Sequence, residues 1–506
     1  MVRRGSVWLM ALLCVGILIG IEFPFAATET RQWTRGLSSD WQRGMFDRMA
    51  VQNGQLVLKQ DVQIGWERQI PQLHGPARGS SLDTQGNLIV TGYTLRNNAD
   101  HFHTLKYDPN GRVLWQRILP SGNSSRSMDA ASDAQGNVYV AGYVRLGRYN
   151  YQVVKYDPNG NVLWQRILSS GNDDQAQSIA VDAQGNVVVT GNTNGKNSDV
   201  FTAQYTPSGT LLWQRRFDGG SGDWGWGVTF DGQGNAYVAG SSVVSGHKDM
   251  LLLKYDKTGR LLWQRTFDNG GEEAATAIAL NPEGQLGLAG FSAGSNNTDM
   301  LIVVADKDGK VLWSRQENMS AQDRAFGVSW NAKGDLLVTG SVLKNGIEGL
   351  QTLKFDARGQ RLWQHSEASA LPSRGYTVET DKAGHVYVSG FLGTGYRTVQ
   401  YRDGFVPRGT YQTEIHRYSA PMNFKTLSVE TRLNGQTLIA TVESSEDGFL
   451  TVTDSVRLVL RSQQSHYLLQ DLKPGRYVRL RFEFLSNSPL LSPQLNTFTI
   501  VASRAP

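Results

Sequence analysis

The sequence predicts an all-β protein whose centre is a seven-bladed β-propeller, and three observations carry that prediction. Tryptophan recurs as Trp66, Trp115, Trp164, Trp213, Trp263, Trp313 and Trp363, at steps of 49 or 50 residues. A second marker, Asp or Asn followed three residues later by Gly, recurs in phase at Asp83, Asp133, Asp182, Asp231, Asn281, Asn331 and Asp381. Within one period, from Gln177 to Phe217, four short apolar runs (SIAV, NVVVTG, VFTAQY and LLWQRRF) are separated by turn residues. Four short antiparallel strands per period make one propeller blade, and seven periods make seven blades.

The chain opens with Arg3 and Arg4 ahead of an apolar run from Val7 to Ile21. Residues 1–27 therefore read as an export signal, or as a retained anchor holding the chain to a membrane through residues 7–27. Cys14, the only cysteine, lies in this run, so the chain beyond it has no thiolate for a disulfide, a metal site or a nucleophile. Residues 28–60 form an N-terminal extension with a hairpin expected around Asn53 and Gly54. An exported chain would reside in the periplasm, on the outer surface or outside the cell.

The propeller is expected over residues 61–402. Its most nearly duplicated stretches are YDPNGRVLWQRIL from Tyr107 and YDPNGNVLWQRIL from Tyr156. In DPNG, Pro sets φ at the first corner, Asp and Asn bond to nearby backbone, and Gly takes the left-handed conformation of a type I turn with a G1 bulge. Runs such as NVLW and NVVV are apolar at successive positions, which implies strands covered on both faces. The first tryptophan strand, GWERQI from Gly65, precedes the first turn marker, whereas the last marker at Asp381 is followed by YRTVQY and no tryptophan. The strand around Trp66 should therefore complete the blade ending at Tyr401 and close the ring, removing two free sheet edges.

The stretches from Gly219 to Ser242 and from Ser170 to Thr193 share a glycine-rich lead, an inner strand, a DxxGN turn and a VxVxG strand. In this they resemble the bacterial beta-propeller repeat of the SBBP type, across residues 60 to 402. The resemblance implies an exported propeller and no common reaction. From Asp403 the period stops, and YQTEIHRY, FKTLSVETRL, QTLIATVES, VRLVLRS, RYVRLRFEF and LNTFTIVAS predict a C-terminal antiparallel, jelly-roll-like β-sandwich over residues 403–506. Its final third resembles the last strands of galactose-binding-like modules.

Function should sit where the copies disagree. Loops joining each outer strand to the next inner strand share a face with those joining the second and third strands, so that face is the expected ligand surface. Eight positions before the turn marker stand Gly75, Ser125, Asp174, Asp223, Glu273, Asp323 and Ser373. The four consecutive acids could hold a cation such as calcium or a basic ligand group. In the competing reading each carboxylate accepts backbone N–H bonds in its own loop. One position further on, Arg126, Arg324 and Arg374 occupy other blades, with Trp224 and nearby Trp226 as stacking platforms. His101 and His103 share one face of a strand, but the repeat fixes no third ligand beside them, and they read as surface residues.

The net charge of +5 is small for 506 residues, and no basic cluster interleaved with aromatics points to nucleic acid. No catalytic motif is visible. These features favour an exported, non-catalytic binding or scaffold protein of the cell envelope or surface, recognising a protein or glycan through the loop face, the C-terminal sandwich or both. No cofactor beyond a divalent cation is expected. The alternative is a propeller enzyme, either a quinoprotein-like oxidoreductase or a polysaccharide-acting lyase or hydrolase. DPNGNVLW is similar to the quinoprotein repeat but departs from it in spacing, and the blade count differs.

Overall fold

The computed structural model describes residues 30–35, 45–47, 49–52, 55–58, 60–70, 75–120, 122–367, 369–405, 408–461, 464–486 and 492–505. These fall into two compact units, residues 63–402 and residues 403–506 together with the N-terminal segment up to 62. The expected signal or anchor at 1–27 lies outside the described residues, among which no helix is long and apolar enough to cross a membrane.

The first unit is built of seven four-stranded antiparallel sheets. Blades 1 to 6 are sequential meanders within 77–119, 125–168, 173–217, 223–267, 272–317 and 323–366. Blade 7 takes three strands from 373–405 and its fourth from residues 60–70, so the tryptophan strand at the beginning of the chain closes the ring. Arg397, almost fully buried, bonds both Glu67 of that strand, at 2.9 Å, and Glu367. Burial would raise the Glu367 carboxyl, but hydrogen bonds from His365, Arg397 and Tyr401 hold it at about 2.

The repeated residues form a latch between blades. Trp115 Nε1 donates to the Pro158 carbonyl of the next blade's DPNG turn at 2.9 Å, and Arg117 Nε donates to Gly160 O at 2.8 Å. The same two bonds join Trp164 and Arg166 to Pro207 and Gly209, and Trp66 and Arg68 to Pro109 and Gly111. Gly160 has φ +81°, and a Cβ there would lie 2.8 Å from the Trp115 ring, so both turn geometry and latch demand glycine. At the 6/7 junction blade 7 has no such turn, because its fourth strand arrives from the N-terminus, and Trp363 Nε1 is buried without a partner.

Two expectations need correction. In NVLW only the tryptophan is packed: Val162 and Leu163 are 47% and 53% exposed, and the matching pairs of other outer strands are similar. The fourth strand is the outer edge of the propeller, with nothing beyond it, whereas Val187, Val188 and Val189 on a second strand are fully buried between blades. His101 and His103 are also buried, because third strands lie between blades as well. His103 bonds Gln116 at 2.8 Å, and burial lowers its pKa to about 4, so it stays neutral.

The second unit is antiparallel all-β, its strands joined in one continuous 11-stranded hydrogen-bonded network. Alternate residues such as Phe482, Phe484, Phe498 and Ile500 converge on one core. Strands 49–52 and 55–58 pair as a hairpin, with Asn53 and Gly54 outside the described residues. Residues 30–35 and 55–58 both pair with strand 494–504, so the N-terminal extension belongs to this sheet.

Candidate functional site

In every blade the register between first and second strands slips by one residue near the loop face. A β-bulge re-aims the extra side chain out of the alternating pattern. The seven residues so placed are Arg78, Met128, Gln177, Trp226, Thr276, Phe326 and Tyr376, no two alike. They form a ring at the axial mouth of the loop face. Arg78 Cζ lies 4.3 Å from the Tyr376 ring centroid across the 7/1 junction, and Phe326 lies 5.3 Å from Tyr376 across the 6/7 junction. Apart from the buried Tyr376, all are partly exposed.

The arginines expected on this face extend the ring outward on blades 2, 6 and 7. Arg374 stacks 4.8 Å from Phe326, donates to Tyr376 OH at 3.0 Å and pairs with Glu348. Arg126 stacks 4.5 Å from Tyr93 and pairs with Asp100 at 2.7 Å. Arg324 is exposed above Phe291 at 4.6 Å. Burial raises the Tyr143 phenol, opposed by Arg126 and Arg78 beside it, which places these two cations at one neighbour. Arg78 is partly buried, and its Nε has no hydrogen-bond partner. Blades 6, 7, 1 and 2 thus present an arc of guanidinium and aromatic groups.

Blades 3 to 6 carry the acids at the start of their inner strands. Asp174, Asp223, Glu273 and Asp323 are fully buried, and each grips its own loop. Asp174 accepts Ser170 N and Oγ at 2.6 Å, Asp223 accepts Gly219 N at 2.6 Å, Glu273 accepts Gly271 N at 2.8 Å, and Asp323 accepts Ser320 N at 2.7 Å. Among the described residues no two of the four share a group of carboxylates within 4.8 Å of one another. Asp223 instead gathers with Asp199 and Asp218, and Glu273 with Asp249 and Asp268, the carboxylate oxygens of each trio lying within 4.8 Å of one another. Trp224 is partly exposed, with Lys248 Nζ 4.6 Å from its ring, so that face of the indole is already taken by a cation. Trp226 stands in the ring.

Below the ring, short bonds between neighbouring inner strands line the axis. Ser80 Oγ donates to Thr377 at 2.7 Å, Ser178 Oγ to Asp129 at 2.8 Å, and the Ser81 and Ser132 hydroxyls lie 3.0 Å apart. Burial raises Asp129 to about 6, and burial with the Asp129 charge raises Glu379 to about 8. Glu379 also lines a cavity of about 370 Å³ that opens among the turn-marker loops, with Ile278, Leu280, Val328 and Trp330.

The fold and this ring define a seven-bladed β-propeller with a blade-specific axial mouth. A family model described as beta-propeller repeat, SBBP, matches residues 164–197, which span the third blade's approach and first strands. A second, described as outer membrane protein assembly factor BamB, matches residues 196–395. No curated protein matches the chain. Among solved structures, a catalytically inactive virginiamycin B lyase from Staphylococcus aureus with quinupristin is 9% identical, covering 67% of this chain and 99% of its own, with a TM-score of 0.46. A gluconolactonase from Xanthomonas campestris is 13% identical, covering 70% of this chain and 95% of its own, with a TM-score of 0.35.

Proposed function

We propose that this chain is an exported, non-catalytic binding or scaffold protein of the cell envelope, which docks a protein partner on the loop face of its propeller. One observation carries the reading: the only inner-strand column in which all seven blades differ is the bulge ring, and it holds Arg, Trp, Phe, Tyr and Met, residue types enriched at protein interfaces. The cationic arc on one side and exposed Asp218 and Asp268 on the other make the face bipolar, which suits a partner of complementary polarity and disfavours a uniformly anionic glycan. The family-model match described as BamB supports an envelope setting.

Photo-cross-linking in the producing cell tests this reading. A photoreactive residue at position 226 should give a discrete protein adduct, and one at position 163 on the outer strand should not. Adducts only from position 163, or none from either, would overturn it.

One observation favours a second reading, a polysaccharide-acting lyase or hydrolase. Glu379 is a carboxyl held protonated near neutral pH beside Asp129 and a partly apolar cavity, a pairing that acid–base chemistry uses. Cleavage of a polysaccharide panel by the parent chain, abolished in Glu379→Gln, would establish it in place of the first.

A further inference from the structure

The loop face carries one acidic arrangement three times over, at the 3/4, 4/5 and 5/6 blade junctions, and the three copies differ in one decisive side chain. Each has an acid at the start of a third strand (Asp199, Asp249, Asp299), a residue just after the outer strand (Asp218, Asp268, Asn318) and an acid beginning the next inner strand (Asp223, Glu273, Asp323). On the outer strand the equivalent positions are Arg216, Thr266 and Gln316, paired in register with Phe201, Leu251 and Leu301.

At the 3/4 junction Arg216 is the cation: its Nη2 contacts Asp199 and lies 3.7 Å from Asp218. At the 5/6 junction Asn318 removes one charge, Gln316 Nε2 donates to Asp299 Oδ2 at 2.7 Å, and Asn297 Nδ2 donates to Oδ1 at 3.0 Å. At the 4/5 junction all three acids remain, but Thr266 is too short to take Arg216's place. Asp249 is 7% exposed and receives no hydrogen bond or ion pair, although its carboxylate lies within 4.8 Å of those of Asp268 and Glu273. Burial and the charges of Asp268 and Glu273 raise its pKa. Glu273 has donors from Gly271 and Ser292, and Asp268 from Gly270. His247 pairs with Glu272 at 3.6 Å, outside the trio, and its charge when protonated opposes the rise at Asp249 without bonding it.

A side chain more than nine-tenths buried, without a donor and facing two more carboxylates, calls for a cation at that point. At the 3/4 junction the chain supplies a cation in Arg216, although the Asp199 oxygens there make no hydrogen bond, and at the 5/6 junction Asn318 and the amides of Gln316 and Asn297 remove the need. We propose that Asp249, Asp268 and Glu273 bind a divalent cation of calcium's chemistry, which takes the place that the Arg216 guanidinium fills one blade earlier. Three carboxylates in loops of unequal reach fit a hard ion that accepts oxygen ligands in flexible geometry. The site shares Asp268 with the acidic side of the proposed docking face, but none of its three carboxylates belongs to the bulge ring, and calcium uptake is read without any partner.

Isothermal titration of the chelator-treated mature chain with CaCl₂ tests it, with MgCl₂ as a second arm. The expected result is one calcium per chain and a rise in melting temperature on binding. Asp249→Asn should weaken binding about tenfold or more, as ligand charge sets affinity in such sites. Thr266→Arg should abolish binding while raising the melting temperature of the metal-free chain, a gain that a misfolded variant could not show. Asp199→Asn should leave calcium uptake unchanged. No stoichiometric uptake in the parent, uptake unaffected by Asp249→Asn, or equal loss in Asp199→Asn would each overturn the proposal.

Discussion

The outer rim and the axial mouth of this propeller follow opposite rules. At the rim, a tryptophan and an arginine two residues later reach the same two carbonyls of the next blade's turn, and nearly the same thirteen residues recur to do it. At the mouth, the seven bulge positions hold seven different residues. Repetition marks where each blade must solve the same packing problem, and variation marks where it need not. The conspicuous duplicates are therefore poor places to look for chemistry, while the uneven column is where a ligand can be read.

The largest expected effect probes the rim. Trp115→Ala should cost about 3–5 kcal/mol in urea unfolding, since it empties a packed indole site and strands the Pro158 carbonyl. Trp363→Ala should cost less than Trp115→Ala, because Trp363 Nε1 has no acceptor to lose; equal losses would mean that the hydrogen bond adds nothing to the latch. Next comes the loop lock. Asp323→Ala leaves the Ser320 and Met319 amides without their acceptor, and a loss of about 2 kcal/mol is expected in the same assay.

Of a different kind is a pH effect on the axis. Glu379 has a native pKa of about 8 against 4.5 for the free group, so its contribution is intact below pH 4.5 and is lost as pH rises through 8. Glu379→Gln should therefore raise the melting temperature at pH 8 by about 2 °C or more and leave it nearly unchanged at pH 4. A variant that melts lower than the parent at pH 8 would show that the ionised carboxylate is stabilising.

The blades and the ring closure were legible because Trp, the DxxG turn and their phase are local signals repeated seven times. The closing strand followed from one missing tryptophan after Asp381. The bulge ring was not legible in the same way: a bulge is a property of strand register, and its seven residues share no side-chain type. Of its members Trp226 alone stands among the expected ligand-face residues, although the column five positions before each turn marker displays the disagreement. Burial is not legible in the sequence where neighbours in space decide it. Val162 and Leu163 look like core and lie on an outer edge, whereas His101 and His103 look polar and lie between blades. The Asp249 trio was hidden because its members come from a third strand, a loop and the next blade. Of the three, only Glu273 belongs to the aligned acidic column.

Recognition rather than folding is what the bulge ring serves. Urea unfolding of the triple variant Arg78→Thr, Gln177→Thr and Trp226→Thr, which gives three blades the residue blade 5 already carries, tests it most directly. The unfolding free energy should stay within about 1 kcal/mol of the parent, the worth of the Arg78 stack on Tyr376. A loss approaching that of Trp115→Ala would place the ring in the fold's own structural core and contradict the claim.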